Sequence, residues 1–246
     1  MSILDALLNS CDLSAAVHDL RIGQHWTAAA VRRSGRKRAG LASSASGPLD
    51  HPHGQPPVRD AGRLLEHSVR DLAEMIRSPS VAEASVGLAT INAVLEVDET
   101  ACVEVNAGDI LVQKGAGKRV AIVGHFPFVP RVRAAAGALW VLELRPREGD
   151  VPASQAVEVL PLADVVGITG SALVNHTFDE LISLCRPDAY VLLMGGSTPL
   201  SPLFFDVSVD AVSGSYVVDV DAVLRAVSQG ATFPQIPGKR LLTLFR

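Results

Sequence analysis

Aromatic residues are scarce in this 246-residue chain, at 4%, so its apolar interior must be built mainly from Ala, Val, Leu and Ile. Cysteine is scarcer still. Cys11, Cys102 and Cys185 are far apart, odd in number and form no Cys-x-x-Cys pair, which argues against a disulfide framework or a thiolate zinc knuckle. There is no basic excess: the net charge is −4 and the pI about 6.0, unlike the footprint of a nucleic-acid binder. No uncharged apolar run approaches a membrane span. Met1-Ser2-Ile3-Leu4-Asp5 carries an acid and lacks the basic start of a signal peptide. These absences lead us to expect a cytoplasmic protein with no nucleic-acid and no membrane partner. Hydrophobic residues, by contrast, make up 48% of the chain and charged ones 20%, enough for a packed core. The length suits one large domain or two small ones.

Apolar residues at Ile3, Leu4, Leu7, Leu8, Val17 and Leu20 read as a helix over 3–20, broken near Cys11-Asp12. Residues 22–31 and 39–45 flank the basic run Arg32-Arg33-Ser34-Gly35-Arg36-Lys37-Arg38 and read as a β-hairpin. The run itself reads as a solvated turn or as a phosphate-contacting loop. Residues 47–59 are punctuated by Gly and Pro and read as a loop. A helix is expected from Ala61, capped by Asp60, with the stripe Leu65, Val69, Leu72 and Ile76. Ser80 and Glu83 have capping-box spacing for a second helix with Ala84, Leu88, Ile91 and Leu95 on one face. Residues 96–117 read as a join, with a boundary near 105. Beyond it, short strands at 119–123, 138–144, 164–168, 189–194 and 211–218 alternate with helices opened by Thr177/Glu180 and Asp219. That alternation is what a parallel sheet requires, since parallel strands need crossovers. The expectation is an α/β protein, with a small α+β domain over 1–105 and a larger parallel-sheet domain over 106–246.

Ligands in such sheets bind beyond the carboxyl ends of the strands. The loops there hold Gly124-His125-Phe126-Pro127-Phe128, Thr169-Gly170-Ser171 with Asn175-His176-Thr177, and Gly195-Gly196-Ser197-Thr198-Pro199. The first loop fails the Gly-x-Gly-x-x-Gly test, because Phe126 and Val129 stand where glycines belong. Glu143 does fall where a ribose-binding acid would. No dinucleotide is expected. His125 and His176 follow strands on one sheet edge and are candidate metal ligands or proton acceptors. His51-Pro52-His53 is a second candidate metal pair; either set of histidines also suits a purely structural role. Ser201 and Pro202 read as the N-cap and first residue of a helix.

The stretches 119–128, 164–171, 175–177 and 191–200, with Gly87-Leu88-Ala89-Thr90-Ile91-Asn92-Ala93 in the first half, resemble the family of unknown function called putative heavy-metal chelation proteins. The resemblance covers nearly the whole chain. It implies an enolase N-terminal-like α+β domain, then a Rossmann-like domain, with a site in the cleft between them. Asn92, Gly124, His125, Phe126, Thr169, Gly170, Asn175, Thr177, Gly195 and Ser197 match positions of the family pattern; His51 and His53 do not map onto it. The expected function is binding of a transition metal or a metal–organic complex. His125 and His176 would be ligands or catalytic proton acceptors, and Thr169, Asn175 and Ser197 would position the organic part. A chelatase-like activity is one form of this, and whether the chain is a catalyst stays open. The alternative is an enzyme or sensor for an anionic metabolite or nucleotide without a metal, resting on Glu143 and the Gly195-Gly196-Ser197-Thr198 loop. A homodimer would suit such a chain.

Overall fold

The structure is a computed structural model and describes residues 2–44 and 56–246. The histidines at 51 and 53 therefore lie outside the described residues.

The chain opens with α1 (Ile3–Ser10), whose Ser2 and Asp5 satisfy each other's backbone N–H groups in a capping box. Three antiparallel strands follow: β1 (Ala16–Ile22), β2 (Trp26–Arg33) and β3 (Arg36–Ser43). The β2–β3 hairpin and its basic turn match the sequence reading. Residues 16–22 do not, since they form a strand rather than the end of a helix. Val17 and Leu20 are spaced as on a helix, but so short a pattern does not separate the two periods. Pairing with β2 decides it.

The helix expected from Ala61 is also corrected. Asp60 and Gly62 have φ of 53° and 92°, left-handed values that cannot open a right-handed helix. Regular α-helix begins only at α2 (Val69–Glu74), capped by Ser68 and Asp71. The next helix, α3 (Val81–Val94), lies where expected, but its capping box does not form. Glu83 instead accepts from the Arg59 backbone N–H at 2.8 Å and from Arg59 Nε at 2.9 Å, while the Ser80 hydroxyl donates to the Pro57 carbonyl. Most of α3 is buried, as expected for a helix apolar on every side. A Cβ on Gly40 of β3 would stand 2.3 Å from the Ala89 carbonyl oxygen, and one on Gly87 would stand 2.0 Å from Ile76 N. The helix is thus clamped between the small sheet and the turn at 75–77.

The large sheet has a short edge strand, β4 (Cys102–Val103), on one side. Then come α4 (Ala107–Gly115), β5 (Arg119–Val123), α5 (Val129–Ala135), β6 (Ala138–Glu143), β7 (Val151–Pro152) and α6 (Ala156–Val159). They are followed by β8 (Val165–Thr169), α7 (Ser171–Val174), α8 (Phe178–Leu184), β9 (Tyr190–Met194), β10 (Ala211–Val217), α9 (Val220–Ser228) and β11 (Lys239–Phe245). The eight strands run β4-β11-β10-β9-β8-β5-β6-β7. Pairing is parallel from β10 to β7, and antiparallel at β11. The protein is therefore mixed α/β, with a mostly parallel sheet beside a small antiparallel one. As expected, Asp219 caps α9 through Ala222 N and Ser201 caps a 3₁₀ turn beginning at Pro202. Thr177 does not cap α8 through its side chain; its hydroxyl donates to Asn175 Oδ1 at 2.7 Å.

One apolar cluster joins Ile76, Leu88 and Ile91 of the first half to Leu173, Phe178 and Phe204 of the second. Phe178 and Phe204 meet edge to face at 5.6 Å, worth about 0.5–1.5 kcal/mol beyond burial.

Candidate functional site

From β5 the chain moves outward to β6 and β7, then returns to the other side of β5 as β8. Connections leaving β5 and β8 therefore diverge, and this reversal opens a crevice at their carboxyl ends. A cavity of about 800 Å³ lies there. It sits within the size range of small-molecule pockets. Apolar side chains line most of it, including Trp26 from the small sheet and Phe126, Phe128 and Phe233 from the large-sheet half. Four of the chain's eleven aromatic residues thus meet on one concave surface.

All three strand-end loops picked out in the sequence reach this cavity. Gly124 has φ +100°, and a Cβ there would meet Phe126 Cε2 and Thr169 Cβ at 3.2 Å, so glycine is required where Phe126 folds back. Phe126 stacks on Phe128 with ring centres 5.0 Å apart. Gly170 packs so tightly that a Cβ would sit 2.5 Å from Thr198 Oγ1. Thr169 Oγ1 accepts from Ser171 N at 3.3 Å, and Asn175 Oδ1 is taken up by Thr177. Thr169, Gly170, Asn175 and Thr177 all line the cavity. Gly195 and Gly196 form part of the wall, with Trp26 and Phe233 crowded against Gly196. Ser197 also lines it, yet its Oγ accepts from Ser43 N at 2.8 Å, which ties the two halves together.

Two carboxylates converge on His125. Its backbone N–H donates to Glu143 Oε1 at 2.6 Å. Its Nδ1 faces both carboxylate oxygens of Asp150 at 3.2 Å. The Asp150 side chain is only 2% exposed, against 28% for His125. Asp150 is steadied in turn by the Arg147 N–H. A carboxylate on Nδ1 holds the tautomer that protonates that nitrogen and leaves Nε2 with a lone pair. Asp150 was not picked out from the sequence. It sits 25 residues from its partner, so no local spacing gives it away.

Two expected site residues lie elsewhere. Asn92 does not line the cavity; its Nδ2 donates to the Leu41 and Ser197 carbonyls at 2.8 and 3.0 Å. His176 does not line it either. It adopts φ 60°, and its Nε2 meets the Ile76 carbonyl oxygen at 2.7 Å, bridging the two halves. His125 and His176 are thus not neighbours: His125 lines the cavity with a carboxylate behind it, and His176 bonds to the first half.

Among the described residues no three His, Cys, Asp or Glu side chains are grouped to hold a metal ion. Burial raises the thiol pKa of Cys11 and Cys102, and pushes Cys185 up to about 11, away from the thiolate that binds metals. Protein-bound zinc takes three or four protein ligands. The described residues therefore do not assemble the ligand set of a zinc site.

A family profile described as "Putative heavy-metal chelation" matches residues 106–245, and a second with the same description matches 4–95. A protein of unknown function from Desulfitobacterium hafniense, of the family of the first profile, shares the fold with a TM-score of 0.83. It is 27% identical, with 99% of this chain and 97% of that one covered. A second such structure, from Pyrococcus horikoshii, has a TM-score of 0.81 at 18% identity, covering 99% and 98%. An uncharacterised protein of Methanocaldococcus jannaschii is 23% identical over 89% of this chain and 85% of its own length. Among the described residues no helix is long and apolar enough to cross a membrane. With more than half its length matched by the first profile alone, the chain belongs to the family described as "Putative heavy-metal chelation".

Proposed function

We propose that the protein binds a transition metal already held in an organic chelate, rather than the bare ion. The observation that carries this reading is one imidazole, oriented by a buried carboxylate, on the wall of a largely apolar 800 Å³ cavity without a cluster of further ligands among the described residues. The chelator supplies most of the coordination. Its apolar body occupies the aromatic-walled cavity, and His125 Nε2 offers one lone pair from the protein side. Asp150 behind Nδ1 keeps that lone pair on Nε2 and the ring in one orientation toward the chelate.

The test compares free Co²⁺, Ni²⁺, Cu²⁺, Zn²⁺ and Fe²⁺ with the same ions held in a catecholate, a polyaminocarboxylate and a porphyrin. After desalting, metal content is read by elemental analysis. The expected result is loss of the free ions and near-stoichiometric retention of at least one chelate, with retention falling about tenfold or more in His125→Ala. Retention of a free ion at one per chain by both proteins, or of no chelate at all, overturns the proposal.

A further inference from the structure

We infer that the cavity also accepts a phosphate-free ribonucleoside, with the ribose 2′,3′-diol held by the Glu143 carboxylate. Glu143 ends β6, the strand beside the β5–β8 reversal, and its half-buried side chain lines the cavity. Acids at this place in doubly wound sheets receive ribose hydroxyls because the strand end aims them into the crevice. Here the carboxylate is fixed from behind. Oε1 accepts the His125 N–H at 2.6 Å, and Oε2 accepts the Leu144 N–H at 3.2 Å. An ionised carboxylate has about four acceptor sites, so each oxygen keeps one for the cavity side. Glu143 takes part in no ion pair among the described residues. A vicinal diol supplies two O–H donors to two neighbouring oxygens without requiring a positive charge.

The same surroundings exclude a diphosphate. Phe126 folds over Gly124, closing the approach that a pyrophosphate needs. Arg131 is the cavity's one lining cation among the described residues, and Asp109 already pairs with it. Glu143 and Glu180 add negative charge to the wall. The aromatic and aliphatic faces that remain suit the base of an uncharged nucleoside. This inference rests on the cavity and Glu143 alone, independently of any metal.

The test is isothermal titration in metal-free buffer with adenosine, guanosine, cytidine and uridine, their 2′,3′-dideoxy forms and their 5′-diphosphates. At least one ribonucleoside should bind, about tenfold or more tighter than both its dideoxy form and its diphosphate. Glu143→Gln should remove that preference for the diol, so that the ribonucleoside and its dideoxy form bind alike. Equal affinity of ribo- and dideoxy forms for the unaltered protein, or no binding of any ribonucleoside at millimolar concentration, overturns the inference. The comparison on the unaltered protein stands even if the variant fails to fold. Because no metal is present, this outcome is separate from the chelate experiment.

Discussion

A single residue, Asp150, decides how His125 presents itself. Its carboxylate lies against Nδ1 and is almost wholly buried, so the ring has one orientation and one tautomer. Asp150→Asn keeps the volume and removes the charge. Residues behind a metal-ligating histidine typically matter by about 10–100-fold in affinity. We therefore expect Asp150→Asn to weaken retention of the chelate by that factor while the far-ultraviolet circular dichroism stays unchanged. An equal affinity in the two proteins would make the Asp150 contact incidental. At this scale the sequence was informative about His125, because a polar residue after Gly124 at a strand end stands out locally. It was uninformative about Asp150, and it promoted His176, whose left-handed backbone and bond to Ile76 depend on a neighbour 100 residues away.

At the scale of elements, glycine contacts set how closely α3 sits. A methyl group on Gly87 would overlap the backbone of Met75 and Ile76, and backbone cannot rotate aside as a side chain does. Overpacking of this kind costs about 1–3 kcal/mol. Gly87→Ala should lower the urea midpoint by a corresponding amount, with the m-value unchanged. Strand starts contribute differently. Asp164 accepts from Arg119 Nε and from the Arg119 backbone N–H, both at 3.0 Å, and from Arg186 at 2.9 Å. These bonds, led by the Arg119 side chain, hold its carboxyl well below the usual value of 3.8. A depressed folded pKa stabilises the fold above the unfolded pKa and ceases to do so as pH falls through the folded one. Asp164→Asn should thus lower the melting temperature at pH 7, and the gap to the unaltered protein should close progressively below about pH 4. High salt should shrink the gap too, since the group is partly exposed. The core strands of the large sheet were legible as apolar runs because both faces are covered. β11 and α4 were not. Their apolar residues acquire a face only once β10 and the sheet surface are in place.

Across the whole molecule, the two halves are joined by particular bonds as well as by apolar packing. Asn92 reaches from α3 to the Leu41 and Ser197 carbonyls, Ser197 receives the Ser43 N–H, and His176 meets the Ile76 carbonyl. Three residues expected to handle ligand thus also bond across the two halves. Removing Asn92 leaves two carbonyls without their donor, at about 1–3 kcal/mol. Asn92→Ala should accordingly lose stability of that order in urea denaturation and retain chelate at the same stoichiometry once folded. Loss of chelate in a protein of unchanged stability would return Asn92 to the binding surface.

Local chemistry in the sequence determined the hairpin, the strand–helix alternation, the three glycine-bearing strand ends and the candidacy of His125 and Glu143. Glu143 follows from its spacing after Gly124, and the others from residues within a few positions of one another, through backbone sterics and burial period. Tertiary structure alone decided which polar groups face the cavity and which cross between the halves, because that choice depends on donors and acceptors brought together from far along the chain. Asp150 beside His125, Ile76 beside His176 and Ser197 beside Asn92 became neighbours only when the sheets and α3 packed.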